Sequence, residues 1–233
     1  MPASYEKFIK RLIAYRKDNG LSQEEMGKRS NITQSHYNKI EKMSKVMSYN
    51  SLAVLNRTTI SADFLVTGIE QKHTALNDLL KQCSEADRAD FMYMAVIFME
   101  LCLRYQGVEN ELYREISTKE IKLLRSDMEN REANSVWKCI REINNLTQEQ
   151  ISNELEIDIK TYRDIEKGKS KPNAEILALV YDKFGYPPSL LLDVEDKNYL
   201  FVINEVWLRL SESLQNKIER ELKGLLEFIQ RIR

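Results

Sequence analysis

Residues 34–39 carry a hydrogen-bonding side chain at every position, reading Gln-Ser-His-Tyr-Asn-Lys. Helical spacing turns Tyr37 and Ile40 towards a core. The side chains left pointing outward are those of Gln34, Ser35, His36, Asn38 and Lys39. Their amide, hydroxyl, imidazole and ammonium groups suit the base edges and phosphates of double-stranded DNA. Because a helix face that only meets water favours Glu and Lys pairs, this composition indicates contact with DNA.

The distribution of charge favours the same partner. The whole chain has 35 Lys and Arg residues against 36 Asp and Glu residues, a net charge of −1. Residues 1–70 alone hold 11 against 7, a net charge of +4. Since phosphates attract cations, we expect a DNA partner to meet these first seventy residues most easily.

The segment that contains this helix occurs twice. Leu21–Glu24 (Leu-Ser-Gln-Glu) recurs as Leu146–Glu149 (Leu-Thr-Gln-Glu), and Arg16 recurs as Arg141, both at an offset of 125. A match of this length without insertions indicates a duplication. A weaker match, at an offset of 127, relates residues 77–85 to residues 204–212.

Local signals within the first copy predict a helix-turn-helix. Ser22 followed by Glu25 is typical of a capping box, and Thr33 is a good first residue for the next helix. Asn31 stands at the intervening turn, where it tolerates a left-handed backbone. Gly27 costs stability inside a helix, so we expect it to allow a close crossing by the following helix.

The sequence therefore predicts an all-α protein, in keeping with only 7 Gly and 4 Pro residues. We predict two copies of one design, each a five-helix unit followed by a helical hairpin. The expected order is a helix-turn-helix domain over 1–70, a helical hairpin over 71–106, a helical linker over 107–134, a second helix-turn-helix domain over 135–194 and a C-terminal helical hairpin over 195–233.

The first hairpin contains a run, Phe91–Met99, that is apolar on all sides. Such a helix has to be covered, either by the second hairpin of the same chain or by a second copy in a homodimer. We expect the face that includes Phe91, Met94, Ala95, Phe98, Leu101 and Cys102 to be covered. Gly107 is expected to follow this helix, and Ser117–Glu120 resembles a capping box that opens a polar connecting helix within the linker.

Two motifs resemble the Cro and phage-repressor helix-turn-helix, known as the XRE family. The first is Leu21–Gly27 followed by Ile32-Thr33 and Ile40-Glu41. The second is Leu146–Ile151 followed by Ile165–Pro172. The resemblance implies two tandem five-helix domains of the lambda-repressor type, in which the third helix of each enters the major groove of DNA.

The resemblance also implies roles for single residues. Gln23 and Gln148 would contact phosphate, and ion pairs would join Arg16 to Glu41 and Arg141 to Glu166. The full set of expected DNA contacts is Gln23, Gln34, Ser35, His36, Asn38, Lys39, Gln148, Lys160, Thr161, Arg163, Lys169 and Lys171.

The two copies depart from the family pattern in different places. The second keeps a loop, Gly168–Pro172, that suits a phosphate, whereas the first has Met43–Met47 there and lacks Gly and Pro. The second copy also brings acidic side chains close to the expected DNA: Glu154, Glu156, Asp158 and Asp164. It could therefore bind DNA or have become a scaffold or a protein contact.

Other classes of protein have little support. There is no Gly-rich phosphate loop, no metal-ligand spacing and no nucleophile with a base nearby, so we expect no enzyme, no catalytic residues, no cofactor and no metal. The chain has no apolar stretch long enough for a bilayer and no signal peptide, so we expect a cytoplasmic protein. The rival hypothesis is a protein-interaction module of the same fold, antitoxin-like or anti-repressor, that holds a protein partner. A homodimer and a pseudo-dimer within one chain both remain open.

Overall fold

The structure is a computed structural model that describes residues 2–105, 111–129, 136–192 and 199–232. The described residues form α-helices and two short 3₁₀ turns, and no strand occurs among them. The predicted all-α class is confirmed. None of the described helices has both the length and the apolar character needed to cross a bilayer.

The helices follow one another as the duplication requires. The first copy contains α1 (Ala3–Asp18), α2 (Gln23–Arg29), α3 (Gln34–Glu41), α4 (Tyr49–Thr58) and α5 (Ala62–Thr67). Next come α6 (Ala75–Gln82), a 3₁₀ turn (Glu85–Asp87), α7 (Arg88–Tyr105) and α8 (Glu111–Glu129). The second copy contains α9 (Val136–Ile143), α10 (Gln148–Glu154), α11 (Ile159–Glu166), α12 (Ala174–Phe184) and a 3₁₀ turn (Pro188–Leu190). The chain ends with α13 (Tyr199–Arg209) and α14 (Glu212–Arg231).

The local signals of the first copy are confirmed. The Ser22 hydroxyl accepts a hydrogen bond from the Glu25 amide at 3.1 Å, and the Glu25 carboxylate accepts one from the Ser22 amide at 2.7 Å. Thr33 caps α3 by accepting from the His36 amide at 3.2 Å. A Cβ atom on Gly27 would lie 3.0 Å from the Ile32 carbonyl oxygen. The small residue therefore makes room for the turn that leads into α3.

The second copy differs from the predicted five-helix design at its end. The fifth helix is reduced to the 3₁₀ turn at Pro188–Leu190. The turn begins at Pro188, one position later than α5 begins in the first copy, because a proline disfavours a helical conformation at the residue before it.

The chain divides into two compact units, and each draws on both halves of the sequence. The first unit consists of Met1–Glu70 and Ser135–Lys197, which hold the two helix-turn-helix copies. In it, α12 packs against α1 and α5. The buried Asp63 carboxylate accepts from the Ser189 amide at 2.7 Å, so α5 also meets the equivalent turn of the second copy.

The second unit consists of Gln71–Asn134 and Asn198–Arg233. Its helix α7 packs against α8 and α14, while α6 meets α14 and α13 meets α7. The Asn204 side-chain amide donates to the Asn77 side-chain oxygen at 3.0 Å, and these two residues correspond in the repeat. The two hairpins are thus paired within one chain, each contacting the long helix of the other.

The prediction of a capping box at Ser117–Glu120 is wrong. Helix α8 begins at Glu111, so Ser117 lies inside it, where both Ser117 and Glu120 are buried. Arg209 of α13 donates to Glu120 at 2.6 Å, which explains why polar residues occur on this helix face. Gly107, expected to follow the apolar helix, lies outside the described residues.

The predicted face of α7 is wrong in part. Phe91 and Ala95 are buried as expected, but the other fully covered side chains are those of Val96, Met99 and Leu103. Met94, Phe98 and Cys102 are half-buried, and Leu101 is 41% exposed. A run that is apolar on every side contains no signal for the face that its neighbours cover, so the sequence could not distinguish these alternatives.

Candidate nucleic-acid interface

Helix α3 presents a polar face and buries its opposite side. Tyr37 and Ile40 are fully buried, as the helical spacing predicts. Gln34, Ser35 and Lys39 are exposed, whereas His36 and Asn38 are half-buried. The structure thus leaves three of the five predicted DNA contacts of this helix fully open.

An ion pair fixes the orientation of α3. The Arg16 Nε atom of α1 lies 2.6 Å from Glu41 Oε1, and a second bond joins Arg16 Nη2 to Glu41 Oε2 at 3.1 Å. Burial raises the pKa of the Glu41 carboxyl, but hydrogen bonds from Arg16 and Gln23 outweigh burial and leave that pKa below its usual value. The pair is therefore ionised at neutral pH, with the fork-like geometry that orients two groups firmly.

Gln23 connects this ion pair to the open face of α3. Its side-chain amide donates to Glu41 Oε2 at 2.7 Å, while its oxygen accepts from the Asn38 amide at 2.8 Å. Asn38 is thereby engaged in holding Gln23, in addition to lying on the predicted DNA face. Gln23 is half-buried and has a fixed orientation, as a side chain that positions a phosphate should be.

The second copy repeats this network. Arg141 Nε lies 2.8 Å from Glu166 Oε1, and the Gln148 amide donates to Glu166 Oε2. Arg163, which corresponds to Asn38, donates from Nε to the Gln148 oxygen at 3.1 Å. Both ion pairs occur as predicted. In each copy the glutamine side chain is hydrogen-bonded to two residues of the following helix, the glutamate of the ion pair and one further residue.

The open face of α11 is more strongly charged than that of α3. Lys160 and Arg163 are exposed. The Thr161 hydroxyl donates to Asp158 at 2.5 Å, and Asp158 caps α11 by accepting from the Thr161 amide. These bonds lower the pKa of Asp158 and direct its carboxylate to the helix end. Asp158, one of the four acidic residues of the second copy that were expected close to DNA, therefore has a structural role at the start of α11.

The loops after α3 and α11 have the same backbone. Met43 and Gly168 correspond and have φ angles of 56° and 69°. Met43 donates from its amide to Ile40 and Gly168 to Ile165, both at 2.9 Å. The first copy thus forms this loop although it lacks Gly and Pro.

Lysines in these loops extend the candidate surface. Lys42, Lys45 and Lys167 are exposed and were not among the predicted DNA contacts. Their position directly after each polar helix, where Lys42 and Lys167 correspond, was the available signal. Lys169 is exposed as expected, while the Lys171 ammonium lies over the Tyr49 ring of the first copy, 5.3 Å from its centroid.

Comparison with known proteins identifies both copies independently. Residues 12–47 match a family model described as helix-turn-helix, and residues 138–197 match one described as helix-turn-helix domain. No curated protein and no solved structure matches the chain. The two matched segments contain α2–α3 and α10–α11, the elements that form the candidate surface.

Proposed function

We propose that this chain, which carries two tandem helix-turn-helix domains of the XRE type, is a sequence-specific transcriptional repressor that binds operator half-sites through α3 and α11. The domains themselves support the broader description, a DNA-binding regulator of that type. The observation that carries the specific proposal is the α3 face. Gln34, Ser35 and Lys39 stand open on a helix that an ion pair and a glutamine hold in place.

Each group on this face has a chemical task. The Gln34 amide has the donor and acceptor pair that matches an adenine edge, and the Ser35 hydroxyl accepts or donates to any base. Lys39 and the exposed lysines of the following loop, Lys42 and Lys45, supply positive charge for phosphates. Base contacts give sequence preference, and phosphate contacts give affinity that falls as salt rises.

The test begins with selection of bound duplexes from a random pool, followed by fluorescence anisotropy across a series of salt concentrations. We expect Lys39→Ala to weaken binding to all sequences about equally and to reduce the salt slope by roughly one. Gln34→Ala should cost ~1–3 kcal/mol on the preferred base and relax the preference there, with the slope unchanged.

Lys81→Ala is the matched control, because it removes the same charge from an exposed lysine outside both helix-turn-helix copies. It should leave affinity and slope unchanged. Absence of salt-dependent binding to every duplex would refute the proposal.

One observation favours a second candidate, a protein-interaction module. Glu154 and Glu156 are exposed at the turn before α11, where they would repel phosphate. If the second copy binds a protein, then a stoichiometric partner should co-purify and be lost in a Glu154→Lys, Glu156→Lys variant. Under this alternative, Lys160→Ala would not alter DNA affinity.

A further inference from the structure

We infer that one chain alone occupies one complete DNA site, and that this site consists of two unlike half-sites about one helical turn apart. This inference rests on the proposed function. It assigns the class of ligand, a non-palindromic bipartite duplex, and it requires no second copy of the chain.

The two polar helices are tied together through the loops that follow them. The Ala174 amide of the second copy donates to the Met47 carbonyl of the first at 3.0 Å. Close in sequence to this bond, the Lys171 ammonium lies over the Tyr49 ring. Met47 and Tyr49 correspond to Pro172 and Ala174 at the offset of 125, so equivalent segments of the two copies meet here.

These contacts limit the distance between the ends of α3 and α11. The Lys45 amide donates to the Lys39 carbonyl at 3.2 Å, and the Ser170 amide donates to the Asp164 carbonyl at 3.1 Å. On the side of α3, only residues 45–47 lie between this helix end and the hydrogen bond from Ala174 to Met47. On the side of α11, only residues 170–174 do. Even fully extended, these segments allow at most roughly 35 Å between the Lys39 and Asp164 carbonyls. That limit excludes half-sites two turns apart, and the spacing of adjacent major grooves on one face of a duplex, about 34–36 Å, lies at its upper end.

The surfaces through which two copies of a repeat would pair are occupied within the chain. In the first unit, α5 meets the equivalent 3₁₀ turn, where Asp63 accepts from Ser189. In the second unit, the corresponding residues Asn77 and Asn204 bond to each other, and α7 packs on its counterpart α14. The duplication thus provides internally what a dimer would provide between chains.

The half-sites must differ because the two polar helices differ. Gln34, Ser35, His36 and Lys39 correspond to Ile159, Lys160, Thr161 and Asp164, and no pair is identical. A glutamine amide suits adenine, whereas an aspartate accepts only from a donor such as the cytosine amino group. A palindrome would offer the same base pattern to both helices, so it would be mismatched to one of them.

The experiment uses the full chain and the duplex selected from a random pool. Mass measurement of the complex should give one 27.4 kDa chain per duplex. The two halves of the selected site should differ in sequence. Inserting five base pairs between them should weaken binding about tenfold or more, because half a turn moves one half-site to the opposite face.

Single variants then assign each half-site to its helix. Gln34→Ala should relax the base preference at one position in one half-site only, and Lys160→Ala should weaken the contribution of the other half-site. Two chains on a palindrome, or a single half-site with Lys160→Ala silent, would overturn this inference while leaving DNA binding intact. Failure to bind any duplex would instead refute the proposed function.

Discussion

Three left-handed turns of this protein occur once in each copy, and the two copies fill them with different residues. Gly20 corresponds to Asn145, Asn31 to Glu156 and Met43 to Gly168, all with positive φ. Glycine and asparagine tolerate this backbone, whereas glutamate and methionine are strained in it. The sequence predicted the turn at Asn31 because of the residue there. The residue type at Met43 gives no such signal. There the left-handed conformation accompanies the backbone hydrogen bonds from Met43 to Ile40 and from Ser44 to Lys39.

The turn before each polar helix offers a matched exchange. We expect Glu156→Asn to raise the free energy of unfolding by roughly 1 kcal/mol, because asparagine relieves the strain of the φ angle. The reverse change at the equivalent site, Asn31→Glu, should lower the free energy of unfolding by a similar amount. Urea denaturation of the two variants and the wild type measures both effects. A destabilised Glu156→Asn protein would contradict this explanation.

The buried carboxyl of Asp63 makes stability depend on pH. Burial raises its pKa to about 7, and the hydrogen bond from Ser189 opposes this only in part. The folded state therefore holds a proton that the unfolded chain releases above about pH 4. Stability from this group is complete below that pH and is lost as the pH rises through about 7.

We expect the free energy of unfolding to fall between about pH 4 and pH 7, and Asp63→Asn to remove part of that slope. Burial also raises the pKa of Glu120 to about 7 against the opposing effect of Arg209, so Glu120→Gln should remove a separate part. Denaturation at several pH values measures the slopes. If Asp63→Asn retained the full wild-type slope, the protonated carboxyl would not be the cause.

At the scale of elements, the caps and the period of each helix were predictable, but the neighbours of a helix were not. Ser22 and Thr33 cap α2 and α3 because short-range bonds suffice to start a helix. Ser117 has the same residue pattern, yet it lies within α8 because Arg209 and the packing of that helix decide its surroundings. The candidate site was predictable at Arg16 and Glu41, where the family resemblance implied the ion pair and the repeat has the same two residues at the same spacing. The hydrogen bond from Asn38 to Gln23 could not be predicted from the sequence, because it depends on how α2 and α3 pack against each other.

The ion pair between α1 and α3 permits a double-mutant test. Arg16→Met should lower the free energy of unfolding by about 3 kcal/mol, because Glu41, with its side chain only 7% exposed, keeps its charge without a cation beside it. Adding Glu41→Met should recover most of this loss. The same pair of changes at Arg141 and Glu166 provides an internal replicate. Chemical denaturation of the single and double variants gives the coupling free energy, and simple additivity would show that the pair is not coupled.

At the scale of the whole molecule, the order of segments along the chain differs from their grouping in space. Each compact unit combines a segment from the first half of the sequence with one from the second half. The repeat predicted two similar halves, but equivalents pack together across the halves. Periodicity and capping describe contacts between residues near in sequence, so they contain no information on such long-range pairing. The composition of Phe91–Met99 indicated only that a partner was required.

This interleaving predicts how the protein behaves when it is divided. Residues 1–134 and 135–233, produced together as separate chains, should associate as a 1:1 complex, because each unit needs one segment from each half. Phe91→Asp places a charge at a side chain only 1% exposed in the second unit, so it should weaken the association strongly. Lys81→Asp, an exposed change in the same unit, is the control and should leave the association intact. Gel filtration with mass measurement gives the stoichiometry. Two halves that migrate as independent monomers would show that the contacts between equivalent elements do not hold the molecule together.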